Sequence, residues 1–369
     1  MNGPRRLLVV SLLALLVLLI IRAHLTTIWV FPRAGIDVQI PLHAAERWMS
    51  GGLPYDPDAF RPGQNANPPF LYPPVVLPFF AALSAIPRTP VVWGVVLLMA
   101  VAAVTTTRRL WIPWLWIPLV IAWPPFFEGI LSANLAILMF LAFVVLFYRG
   151  EGAPAWRPPP RDVSRPDEPE IEIGALSAAI AVIKVSQPHA WLFVLRNRPR
   201  AAVIGAVAAA LLVLATVPLT GIQLWFDWID QLRRASDPMW DLAGIALPRF
   251  LSPGIGLLVA IVCVVAVWFV PRRDPAPWLG ILSTVGSLST HTFGLLYLIP
   301  AMLTIRLEIS LVAACMIATY SDRGQWAGII LVSGSYALSA VAHGRLRSWL
   351  NDTPASWPVE AIEQPANAG

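Results

Sequence analysis

Few side chains in this sequence can move a proton or hold an anion, and their positions are informative. Asp37 follows the first long apolar stretch on a short connection. A carboxylate beside a bilayer surface is partly desolvated, which raises its pKa and suits it to general-base work. Capping the helix that follows is its structural alternative. His43 and Glu46 stand one turn apart in the next segment and can line a groove or form a solvated face. Tyr55, Asp56 and Tyr72, set around Pro54 and Pro73/Pro74, read as residues that order a loop. Lys184 is the chain's only lysine and lies in an apolar run. A charge there costs about 2.5–3.5 kcal/mol on insertion scales, so it points at a partner or a cavity unless it snorkels to the interface. His291 falls between two apolar runs, where imidazole can be a neutral hydrogen-bonding group or a cation. Arg249 closes a long polar loop, where an arginine otherwise meets lipid headgroups.

The elements that must position these groups are membrane helices. Of 369 residues 57% are hydrophobic and only 13% charged, whereas soluble domains run nearer a quarter charged. That excludes the water-soluble classes. Residues Leu7 to Phe31 are long enough to cross a hydrocarbon core of about 30 Å. They are preceded by Arg5 and Arg6 and lack a small-residue cleavage site, so they read as an uncleaved first span. Further apolar runs cover about 71–86, 91–106, 110–123, 130–148, 173–195, 201–220, 252–271, 276–290, 292–306, 307–320 and 326–343. The expectation is an all-α, polytopic integral membrane protein of about twelve transmembrane helices (ten to thirteen). Short amphipathic helices are expected in its outer loops, the first over Val38 to Met49.

Arginine placement orients the chain. The net charge is +5, and most basic turns, including Arg196/Arg198/Arg200 and Arg272/Arg273, fall on the side of the N-terminus if that side is cytoplasmic. Residues 32–69 and 221–250 then form outer loops, and 149–172 a Pro-rich, charged linker that is cytoplasmic or mobile. One domain spans 1–345, followed by a polar tail, 346–369. Cys263 and Cys315 lie in apolar runs without a CxxC partner and read as packing residues. The five histidines are dispersed and make no zinc set; nucleotide-binding, hydrolase and zinc-protease motifs are absent from the sequence.

Several motifs share one order. An aspartate beyond the first span (Asp37) is followed by a small-residue helix, then by G-x-x-x-Y-D (Gly51, Tyr55, Asp56), then by F-x-Y-P-P (Phe70, Tyr72, Pro73, Pro74). This resembles the polyprenol-phosphate-mannose-dependent α-mannosyltransferases of actinobacteria, glycosyltransferase family 87 of the GT-C superfamily. Asn134 in SANLAILM falls where that family usually has G-Q-x-N, Lys184 in AVIKVSQP at its intramembrane K-P, and Arg249 in its L-x-R stretch; His291 matches its outer histidine.

The resemblance implies a GT-C-like fold and an inverting transfer without metal or cofactor, at the outer face of a plasma membrane. A lipid-linked donor, polyprenyl-phosphate mannose, would give its sugar to a cell-envelope glycolipid or lipoglycan. In that scheme Asp37 is the catalytic base, and Lys184, His291 and Arg249 hold the donor phosphate. His43, Glu46, Tyr55, Asp56, Tyr72 and Asn134 contact the acceptor or order the loop. Two other classes stay open: a transporter or flippase of a lipid-linked sugar, and a non-catalytic membrane protein that binds one. No nucleic-acid partner is expected, because the basic residues are dispersed over turns.

Overall fold

The computed structural model describes residues 3–28, 34–56, 69–149, 160–165, 167–183, 187–236 and 244–342. Lys184 and the tail 346–369 lie outside them, as do 57–68 of the first outer loop, 150–159 of the linker and 237–243 of the later loop.

The described chain is helical, and its only strand-like pairings are two isolated bridges, Tyr148 with Pro160 and Gly244 with Thr290. In order come α1 (Gly3–Ile28), α2 (Ile36–Met49), α3 (Leu77–Ser84), α4 (Arg88–Arg109), α5 (Ile117–Ala122), α6 (Pro124–Leu131), α7 (Ala136–Phe147) and α8 (Glu170–Ile183). Then follow α9 (His189–Asn197), α10 (Pro199–Thr220), α11 (Gln223–Ser236), α12 (Pro253–Ala266), α13 (Ala276–Val285), α14 (Ile299–Met302), α15 (Leu307–Ala318) and α16 (Asp322–Ala342). Short 3-10 turns lead into α3 (Pro74–Val76), α5 (Trp114–Trp116) and α14 (Thr292–Leu298).

Every apolar run of the sequence becomes helix, but few are full crossings. Among the described residues four helices are long and apolar enough to span a bilayer: Gly3–Thr26, Arg88–Arg109, Pro199–Thr220 and Asp322–Ala342. A fifth span results if α5 and α6, which meet at a 71° bend, are counted as one. Proline accounts for two of the interruptions. Pro124 and Pro125 follow Trp123 at the bend, and Pro188 opens α9 inside the expected 173–195 run. Proline lacks the N–H that a continuous helix needs there.

The outside of the molecule is apolar. Leu211, Leu212, Leu214 and Leu219 of α10 and Leu257, Leu258, Ile261 and Val262 of α12 are all exposed. In water such a surface would be a large uncovered patch; hydrocarbon is the solvent that suits it. The protein is membrane-embedded. Its interior is a column of aromatic rings, with Tyr297 packed edge-on against Phe140 and Phe143, and Phe147 against Phe193. Helix α8 meets α10 at a pair of glycines: a Cβ on Gly174 would strike the Ala201 carbonyl, and one on Gly205 the Gly174 carbonyl. Small residues allow that backbone approach.

The second half of the linker is folded. Arg161 donates to Glu168 and Glu172 at 2.7 and 2.8 Å and to the Val145 carbonyl at 3.1 Å. Arg198 holds the carbonyls of Arg165 and Glu168, each at 2.8 Å. The two buried guanidiniums thus tie residues 160–165 and 167–172 to the ends of α7 and α9.

Candidate functional site

Asp37 stands in the first turn of α2, and the backbone around it is docked on the turn between α6 and α7. Gly35 N donates to Leu131 O at 2.7 Å, and Asp37 N to Ser132 O at 3.0 Å. The close approach requires glycine at position 35: its φ is +68°, and a Cβ would strike Val92 of α4. On the facing turn Ala133 is left-handed, with φ 58°. That costs an L-residue about 1–2 kcal/mol, and it aims the next side chain at Asp37. Asn134 Nδ2 donates to Asp37 Oδ2 at 2.8 Å, while its own Oδ1 accepts from Ala136 N at 2.8 Å and so begins α7. One amide therefore caps a helix and fixes the carboxylate.

The Asp37 side chain is only partly exposed. Burial pushes its carboxyl above the ordinary carboxylate range, against the pull of Asn134 and the neighbouring Ser132 hydroxyl. Tyr72 lies close enough to feel the Asp37 charge; burial first, and that charge second, push its phenol up, so it stays a hydrogen-bond donor at neutral pH. The structure thus brings Asp37, Tyr72 and Asn134 together from three separate stretches of chain.

The other candidates occupy neighbouring positions. Tyr55 donates to the Tyr72 carbonyl at 2.9 Å and stacks on Phe70 with centroids 5.3 Å apart. Asp56 pairs with Arg47 at 3.3 Å, and its carbonyl accepts from Gln231 of α11 at 3.2 Å. Both fasten the outer part of the loop. His43 and Glu46 lie further along α2 and face Arg88 at the start of α4. Arg88 Nη2 donates to both Glu46 carboxylate oxygens at 2.7–2.8 Å, and its Nη1 lies 3.0 Å from His43 Nε2. Burial, and then Arg88, lower the His43 pKa. These two residues are not part of the Asp37 cluster.

His291 precedes the 3-10 turn that packs on α6, and its ring lies 5.4 Å from that of Phe293. Chain crossing beside it is tight: Ile245 N donates to Thr290 O at 2.6 Å, and a Cβ on Gly244 would meet the imidazole. Arg249 is exposed; it donates to Gly244 O at 2.9 Å and lies 3.8 Å from Asp322. Lys184 is among the residues outside the description.

An apolar cleft of about 360 Å³ opens between α8, α10 and α11, lined in part by Pro73, Trp191, Val213, Trp225 and Trp228. It begins one residue from Tyr72, and Trp228 Nε1 holds the Leu71 carbonyl at 3.0 Å. Among the described residues no three His, Cys, Asp or Glu side chains converge as metal ligands.

Sequence reasoning passed over Glu128. It lies on α6, one turn before Ser132, with its carboxylate near Asp37 and against the hydroxyls of Tyr320 and Thr292. The only signal was an acid inside an apolar stretch, FFEGIL, and such residues usually mark function.

A sequence model described as glycosyltransferase family 87 matches residues 70–296, more than half of the chain. No curated protein and no solved structure matches it. The matched segment contains Tyr72, Glu128, Asn134, Arg249 and His291; Asp37 lies before it.

Proposed function

The chain belongs to glycosyltransferase family 87, and from that premise we propose that it moves a sugar, mannose in our reading, from a polyprenyl-phosphate donor to a cell-envelope glycolipid or lipoglycan. The transfer takes place at the outer face of the plasma membrane within a GT-C-like helical fold, with inversion and without a metal or cofactor.

Asp37 carries this reading. Its carboxylate is fixed by Asn134 at 2.8 Å, partly exposed, and raised in basicity by burial. In the step proposed, Asp37 takes the proton of an acceptor hydroxyl. The oxygen attacks the anomeric carbon, and the bond to the donor phosphate breaks with its electron pair on the phosphate. A leaving anion calls for cations, which act more strongly where water is thin. His291 and Arg249 are assigned that task together with Lys184. The apolar cleft beside Pro73 suits an isoprenoid tail, because its walls are aliphatic and aromatic. Tyr55, Asp56 and Tyr72 order the rim, and His43 and Glu46 offer polar contact to an acceptor further along α2.

The test is transfer of radiolabelled sugar from polyprenyl-phosphate donors in membrane fractions, comparing wild type with Asp37→Asn. The expected result is loss of at least about a hundredfold in rate, the lower end of general-base contributions. Unchanged transfer in the variant refutes the assignment of the base.

A further inference from the structure

A polar cluster next to Asp37 has taken no part in the steps above. Ser132 N donates to Glu128 O at 2.9 Å, so the two residues stack one turn apart on α6. The Glu128 carboxylate lies against Thr292 and Tyr320. Gln325 of α16 closes the other side, its Nε2 donating to Thr292 Oγ1 at 3.0 Å. Four buried atoms of this neighbourhood have no hydrogen-bond partner: Glu128 Oε2, Ser132 Oγ, Gln325 Oε1 and Thr290 Oγ1. Thr290 and Gln325 are 1% and 2% exposed, so bulk water does not serve them.

Each orphaned atom costs about 1–3 kcal/mol. Buried polar groups are mostly paired, and four orphans in one cluster point to a ligand. The chemistry of the orphans narrows what that ligand is. The amide oxygen accepts, the Glu128 carboxyl accepts when ionised and donates when protonated, and the two hydroxyls can do either. Such a set holds no cation for a phosphate and at most one charge for an amine; it fits a neutral molecule with several hydroxyls, which donate and accept.

We propose that Glu128, Gln325 and Thr290 form a hydroxyl-binding subsite beside Asp37 that receives a sugar ring of the donor or of the acceptor. Glu128 and Gln325 are then positioning residues, holding the ring's hydroxyls while Asp37 does the chemistry. The assignment rests on the glycosyl-transfer reading only in calling the polyol a sugar.

The experiment uses the full-length chain in lipid nanodiscs and measures binding, not transfer. The probes are a panel of methyl glycosides and, separately, inorganic phosphate. The variants are Glu128→Gln and Gln325→Leu, both close in volume to the residues they replace. At least one glycoside is expected to bind wild type. Its affinity should fall about tenfold or more in each variant, the equivalent of one hydrogen bond to a charged or buried acceptor; phosphate binding should not change. No glycoside bound by wild type, or equal binding by all three proteins, overturns the subsite. In the transfer assay a raised KM for the lipid-linked donor assigns the ring to the donor, and a raised KM for the glycolipid assigns it to the acceptor. Glycoside binding lost in the variants of a protein that transfers no sugar would keep the subsite and remove the proposed function.

Discussion

Asn134→Ser separates the two tasks of one amide. Serine can still cap α7 at the Ala136 N–H, since short hydroxyl side chains serve that position well. It cannot span the 2.8 Å contact that Asn134 Nδ2 makes with Asp37 Oδ2. A hydrogen bond to an ionised group contributes about 1.5–3 kcal/mol and one to a neutral group about 0.5–1.5. The bond therefore favours the Asp37 anion over the acid by about 1–1.5 kcal/mol. The sign follows directly. Burial already holds the Asp37 pKa high and Asn134 pulls it down; removing Asn134 lets it rise further. A general base must be deprotonated, so the acid limb of kcat/KM against pH should lie above the usual aspartate range in wild type. It should move to still higher pH in Asn134→Ser, with the high-pH plateau much less affected. The assay is the pH profile of sugar transfer in membrane fractions. A limb that stays in place, or moves to lower pH, refutes the claim that Asn134 tunes Asp37.

Three other substitutions probe the frame. Gly35→Ala forces a side chain into the left-handed region and against Val92, at a cost of about 2–4 kcal/mol from strain plus overpacking; thermal melting in nanodiscs and kcat/KM should fall together. Arg161→Leu leaves Glu168, only 11% exposed, with the 3.5 Å contact to Arg149 alone and frees the Val145 carbonyl, so a loss of about 1–3 kcal/mol is expected in thermal melting, Glu172 being half in water. Ala133→Gly relieves the φ of 58° but gives up a methyl group that is 2% exposed; relief of about 1–2 kcal/mol against about 0.5–1 for glycine's flexibility and about 0.8 for the methyl should leave the melting temperature nearly unchanged, and a loss of about 1.5 kcal/mol or more would show that Ala133 is not strained.

What could be read in advance follows from what each signal encodes. Hydropathy reports the solvent of a stretch, so α4, α10 and α16 appear almost to their ends in the sequence. It does not report direction. The apolar run read over 110–123 ends at Trp123, just before Pro124 and Pro125, and nothing in hydropathy says that the chain bends there by 71° into a further helix, α6. For the same reason Ile130 and Leu131 read as the start of a span, when they finish α6 and the left-handed Ala133 turns the chain into α7. The site depends on that turn. Position alone left Asp37 open between a base and a helix cap, and it was the family motif that singled out both Asp37 and Asn134. That the two meet, 97 residues apart, was encoded nowhere in local pattern. Glu128 shows the limit most clearly. Its setting comes from Thr292, brought to α6 by the packing of the 3-10 turn Thr292–Leu298, and from Gln325 of α16, which donates to that threonine. An isolated acid in an apolar helix is a cost to be explained, and here the polar groups that meet it come from helices far apart in the chain.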